Sequence, residues 1–231
     1  MNIRIAAVLP SLCFLTLCTS ALAGRPLGTE DAGVNNAGTC QLEAWVDRGT
    51  DLHHTHIAPA CGLIDGLELG LEVDAPSHTS VDAHDVLAAL KWAPEYLAWN
   101  GWRFGAKAAI AGEKAAGDSD RHYANWTALG IATYQFNDQW TTHINLGHTY
   151  DRLGKTHSAV YGVAATYGIT ERLIAFAEIN GDDRTATTRS VGMRWWLLPD
   201  TLGLDITTSK TNASPDSRTW GVGLGWYGLK F

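Results

Sequence analysis

Residues Leu67-Glu68-Leu69-Gly70-Leu71-Glu72-Val73-Asp74 alternate without a break, with Leu67, Leu69, Leu71 and Val73 on one parity and Glu68, Gly70, Glu72 and Asp74 on the other. An extended strand sorts such a run onto two faces, whereas a helix scatters it around its circumference. The same sorting recurs at 41–47, 102–110, 140–146, 173–180 and 202–208. A soluble β-sandwich also alternates. Here, however, one face is densely charged and the other almost purely aliphatic and aromatic, the contrast produced by a wet lumen inside a lipid-facing band. Beyond its first residues the chain has no apolar stretch of the roughly 20 residues that a spanning helix needs. A membrane-spanning form therefore has to be a closed barrel, the only sheet that satisfies every backbone group in lipid.

Runs between turn signals give about twelve strands, with ten as the alternative: 39–47, 54–61, 67–74, 84–93, 102–112, 123–136, 139–150, 157–167, 172–181, 187–197, 202–210 and 218–231. The expected fold class is an all-β, closed antiparallel transmembrane β-barrel with both termini in the periplasm. Segments 62–66, 94–101, 137–138, 168–171 and 199–201 read as short periplasmic turns. Segments 76–81, 113–121, 151–156, 182–186 and 211–217 read as outer loops, with 113–121 and 211–217 the most mobile. Aromatic residues gather near the strand ends, as interfacial anchoring requires. Trp92, Trp99, Trp102, Tyr134, Phe136, Trp140, Tyr167, Trp195 and Trp196 fall at the periplasmic side, and Tyr123, Trp126, Tyr150 and Trp220 at the outer side. Strands 123–136 and 157–167 have weak polar faces, and alternation does not assign their inward side.

The front end reads as an export signal occupying 1–23. Arg4 precedes an apolar core, and Ala21-Leu22-Ala23 is a small-x-small cleavage site, giving cutting after Ala23. Residues 24–38 then form a periplasmic or luminal segment, and 39–231 the barrel. The chain carries 24 acidic and 17 basic residues, a balance that argues against nucleic-acid partners. Phe231, with Tyr227 and Leu229 on its parity, resembles the terminal signal read by the barrel-assembly machinery. The expected location is the bacterial outer membrane, with its lipid as partner.

Cys40 and Cys61 are the cysteines left after the signal is removed. A first hairpin turning at Thr50-Asp51 sets them directly opposite one another, and the periplasm is oxidising, so a cross-strand disulfide is expected. Pro59 in the second strand costs a ladder hydrogen bond and reads as a bulge. His53-His54-Thr55-His56 offers imidazoles, but the tract has no Cys or carboxylate at ligand spacing and reads as a solvated hairpin, so neither a metal nor a cofactor is expected. His157-Ser158 would suit a lipid-modifying enzyme, yet strand neighbours point to opposite faces, and the chain is read as a non-enzyme.

The inward parity gathers Glu43, Glu68, Glu72, Asp74, Asp85, Glu178 and Asp205 with Lys91, Arg103, Lys107 and Arg194, which are the pore-lining candidates. Their acid excess predicts weak cation selectivity. Arg25-Pro26-Leu27-Gly28-Thr29-Glu30-Asp31-Ala32-Gly33, then Gly38-Thr39-Cys40-Gln41-Leu42-Glu43, and later Phe176-Ala177-Glu178-Ile179-Asn180-Gly181 resemble the phenol-degradation (meta-pathway) family of outer-membrane channels. The resemblance implies a barrel passing hydrophobic or aromatic compounds, with Arg25, Asp31, Glu43 and Glu178 tucking the N-terminal segment against the wall. The function expected is a small passive channel for small or hydrophobic/aromatic solutes. The alternatives are a structural anchor barrel without a pore and an outer-membrane lipid-modifying enzyme.

Overall fold

The computed structural model describes residues 27–49, 53–76, 85–113, 122–152, 154–184, 186–212 and 217–231. Within them, twelve strands close into one antiparallel barrel. They are β1 (Thr39–Arg48), β2 (His53–Ile64), β3 (Leu67–Pro76), β4 (Asp85–Trp92), β5 (Trp102–Glu113), β6 (His122–Gln135), β7 (Trp140–Asp151), β8 (Thr156–Thr170), β9 (Leu173–Asp182), β10 (Thr188–Leu198), β11 (Leu202–Thr211) and β12 (Arg218–Lys230). Each pairs with its sequence neighbours, and β1 pairs with β12. The loops expected at 113–121 and 211–217 fall largely outside the described residues, as do the leader and Arg25.

Alternation decides which side each residue takes. Leu71, Ile110, Leu146, Val191, Val222 and Trp226 stand exposed on the outer surface, whereas Glu43, Glu68, Lys91, Glu178, Arg194 and Asp205 are buried inside. This inverts a soluble protein and is the distribution of a transmembrane barrel. Aromatic pairs reinforce the outer surface near the strand ends: Trp102 with Tyr134 and Trp140 with Tyr167, each at a centroid distance of 4.6 Å, and Trp126 with Tyr150 at 6.4 Å. Cys40 lies opposite Cys61 in the β1–β2 ladder, and the two form a disulfide.

Three local expectations are corrected. Pro59 causes no slip: the β2–β3 ladder skips Ala58 and Pro59, resumes in the same register, and shifts instead between Gly62 and Ile64. Tyr227 does not share a face with Leu229. Tyr227 keeps the inward side of Gly221, Gly223 and Gly225 (2% exposed), and the irregularity at Gly228, whose φ of +73° is open to glycine without a steric cost, carries Leu229 to the other face, where it pairs with Cys40. Trp196 also faces inward, buried against Tyr227, and so does not belong to the outer aromatic belt.

The two unassigned strands acquire a direction. On β6, Ile131 and Thr133 are buried, and on β8, Gly162 and Ala164; this face is uncharged because Thr133 and Gly162 meet a peptide segment rather than water. Leu71→Arg, which places a charge in the lipid-facing band, should destabilise the folded barrel by about 2–4 kcal/mol. Ser209→Arg, facing the interior cavity, should cost far less. Denaturant unfolding in lipid vesicles, read by heat-modifiable migration, checks the contrast; equal losses would place the sheet outside lipid.

Candidate functional site: the occupied lumen

A closed twelve-strand sheet encloses more space than its own inward side chains fill. Residues Leu27–Ala37 occupy part of that space, with Thr29, Asp31, Ala32 and Asn35 all buried. The segment makes no regular strand, so its backbone N–H groups need side-chain acceptors. The wall supplies them. Glu178 on β9 accepts from the N–H groups of Gly28 (3.0 Å) and Thr29 (2.9 Å). Asn145 on β7 accepts from Glu30 N–H at 2.6 Å and donates back to the Glu30 carbonyl at 2.8 Å. Thr133 on β6 accepts from Ala32 N–H at 2.9 Å, and Glu68 on β3 accepts from both the backbone and the side chain of Asn35, at 2.8 and 2.7 Å.

Charge pairing fixes the middle of the segment. Lys91 Nζ lies 3.0 Å from Asp31 Oδ1 and 3.2 Å from Glu30 Oε2, and Lys107 also bonds to Glu30. Close approach does the rest. A Cβ at Gly162 would sit 2.7 Å from Thr29 Oγ1, and one at Gly62 would sit 2.2 Å from the Asn35 carbonyl, so each needs a residue without a side chain.

A second charged cluster lies at the seam where the barrel closes. Arg194 on β10 makes a bidentate pair with Asp205 on β11 at 2.7 and 2.8 Å. Its guanidinium lies over Trp196 and Tyr227, 5.1 and 5.2 Å from their ring centroids. Tyr227 on β12 donates to Glu43 on β1 at 2.5 Å, tying the last strand to the first.

The eleven inward candidates thus separate by role. Glu68, Lys91, Lys107 and Glu178 hold the segment; Glu43, Arg194 and Asp205 hold the seam. Glu72 and Asp74 contact histidines of β2, Arg103 is half-buried, and Asp85 is exposed at the start of β4. Asp31 and Glu178 act as the resemblance implied, through different partners; Glu43 belongs to the seam. Thr133, Asn145 and Tyr227 were missed as site residues. Thr133 sits on a weakly patterned strand, and Tyr227 shares a parity in sequence with Leu229 until the irregularity at Gly228 separates them. Asn145 alone showed on a clear polar parity. Ser158 and His157 are not brought together: His157 bonds instead to His148 at 3.1 Å.

Two cavities flank the segment, and Leu27 borders both. One, of about 600 Å³, is lined by Glu30, Glu72, His56, Lys107, Ser190 and Thr207 among others. The other, of about 510 Å³, is lined by Asp31, Trp99, Arg103, His143, Phe176 and Trp196 among others.

Burial by itself would raise the Glu30 carboxyl, but Lys107 and Lys91 outweigh it and hold the group at about 2, against an ordinary 4.5. A value depressed in the docked state means that ionised Glu30 supports docking above the ordinary range. That support disappears as pH falls from there through the docked value. It amounts to roughly 3 kcal/mol at neutral pH. Pepsin cleavage within 27–37 should therefore rise as pH is lowered from about 4 towards about 2. Glu30→Gln should flatten that rise and leave the segment more cleavable throughout. An unchanged profile in the variant would remove Glu30 from the docking balance.

Among solved structures, the KdgM porin superposes with a TM-score of 0.63 at 11% identity, covering 80% of this chain and 98% of that one. A KdgM porin in complex with disordered oligogalacturonate gives 0.63 at 10% over the same shares. The NanC porin gives 0.61 at 11%, covering 81% and 98%. At such identities the likeness is one of fold. No curated protein matches the chain in sequence. Residues 12–220 match the family described as "Uncharacterised conserved protein UCP029691", and the chain belongs to that family.

Proposed function

We propose that the protein is an outer-membrane channel for small solutes, with the segment Leu27–Ala37 as the constriction of its lumen. The observation that carries this reading is the pair of cavities, about 600 and 510 Å³, on either side of a segment held by side chains rather than built into the sheet. A barrel serving only as an anchor has no use for two chambers lined in part by charged residues. The reading includes export with cleavage after Ala23, termini in the periplasm, and recognition of the Phe231 end by the assembly machinery. It also keeps the inward charged residues as the lining that a solute meets.

The solute class follows from the linings. Acids outnumber bases around both cavities, which supports entry of cations and neutral molecules over anions. An oligogalacturonate, the anionic sugar held by one of the similar porins, suits such a lining poorly. Trp99, Trp102, Phe176 and Trp196 border the smaller cavity and supply apolar contact, in keeping with the resemblance to channels for aromatic and hydrophobic compounds. A second reading, a sealed structural barrel, draws on the number of bonds that hold the segment.

Planar-bilayer recording separates the two. The wild-type protein should conduct weakly with a cation preference. Glu178→Ala removes the acceptor for Gly28 and Thr29 and weakens docking by about 1–3 kcal/mol, so conductance should rise. A folded barrel that conducts in neither form would support the sealed reading and end the channel proposal.

A further inference from the structure

Residues two apart on a strand share a face, so His54 and His56 project to the same side of β2. The register then brings carboxylates to them from both neighbours: His56 lies opposite Asp74 on β3, and His54 opposite Asp47 on β1. This cross-strand supply is what the His53-His54-Thr55-His56 tract lacks when read alone. His54 Nδ1 lies 2.8 Å from Asp74, and His56 Nε2 lies 3.7 Å from Asp74 Oδ1. One ligand atom from each of His54, His56 and Asp74 falls within 4.8 Å of the others.

We propose that His54, His56 and Asp74 form a binding site for one divalent transition-metal ion at the end of the barrel opposite the termini. A tetrahedral ion with bonds of about 2.1 Å spreads its ligand atoms about 3.4 Å apart. The separations of 2.8 and 3.7 Å to Asp74 bracket that spacing, and the three ligand atoms all lie within 4.8 Å of one another. His56 is already oriented. Its Nδ1 lies 3.2 Å from Glu72 Oε1, an acceptor for the Nδ1–H, which leaves the Nε2 lone pair facing Asp74. A carboxylate behind the histidine is the usual partner of a metal ligand, because it fixes both tautomer and ring plane. Trp45 stacks on the same ring at 4.5 Å and restricts it further. Asp47 Oδ2, 3.6 Å from His56 Nε2, places a fourth donor nearby. Two imidazoles with carboxylate oxygens suit zinc, nickel or copper rather than magnesium or calcium. His56, Asp47 and Glu72 border the larger cavity, which gives an ion a route in from water.

Cobalt(II) titration of the untagged, folded protein in detergent tests this directly, since tetrahedral cobalt has an intense visible spectrum. One ion per chain should bind and be displaced by zinc. Asp74→Asn and His56→Gln should each weaken binding well beyond 10-fold, and Glu72→Gln, acting through His56, by about 10-fold. His157→Gln, in the other histidine pair, should change nothing. Heat-modifiable migration confirms that each variant is folded, and His54→Gln replaces any that is not. Absence of saturable binding in the wild type, or binding untouched by changes at His56 and Asp74, would overturn the site. Either result stands apart from whether the barrel conducts.

Discussion

A peptide N–H in hydrocarbon has no water to bond with, and a sheet edge there is untenable. Closure of β1 on β12 is the response, and the rest of the molecule follows from it. Once the sheet closes, every residue must face either lipid or lumen. The period-two sequence sends Leu71, Ile110 and Val222 outward and Glu68, Lys91 and Glu178 inward. The seam is reinforced where closure happens: Tyr227 of β12 bonds to Glu43 of β1 beside the Arg194–Asp205 pair.

Closure with twelve strands leaves interior volume, and buried charges in that interior need partners. The segment Leu27–Ala37 meets both demands. Its acids neutralise Lys91 and Lys107, while its backbone donors satisfy Glu178 and Glu68. Removing one partner of such a set strands the other, which makes docking cooperative. The segment is nevertheless held through side chains and not through a continuous ladder, apart from the single bridge of Ala37 to Gly62. It therefore has a separate stability, lower than that of the wall.

Much of this was legible in the sequence because strand parity is a strong signal when lipid lies on one side. The count of about twelve strands and the Cys40–Cys61 pairing were readable from turn spacing and, outside β6 and β8, from alternation. What parity missed has identifiable causes. Thr133 and Gly162 meet the N-terminal segment, and Ile131 and Ala164 beside them are buried and uncharged, so β6 and β8 show only a weak polar face. The irregularity at Gly228 puts Leu229 on the opposite face from Tyr227, breaking the parity that the terminal run shows in sequence. The carboxylates around His54 and His56 come from neighbouring strands and cannot be seen in a linear tract.

The central claim is that the N-terminal segment resides inside the lumen, and amide hydrogen exchange of the folded protein tests it most directly. The N–H groups of Thr29, Ala32 and Asn35, which donate to Glu178, Thr133 and Glu68, should exchange far more slowly than in a free chain. They should also exchange together, as one unit, and faster than the strand amides. Exchange of these groups at the rate of an unstructured peptide would contradict the account.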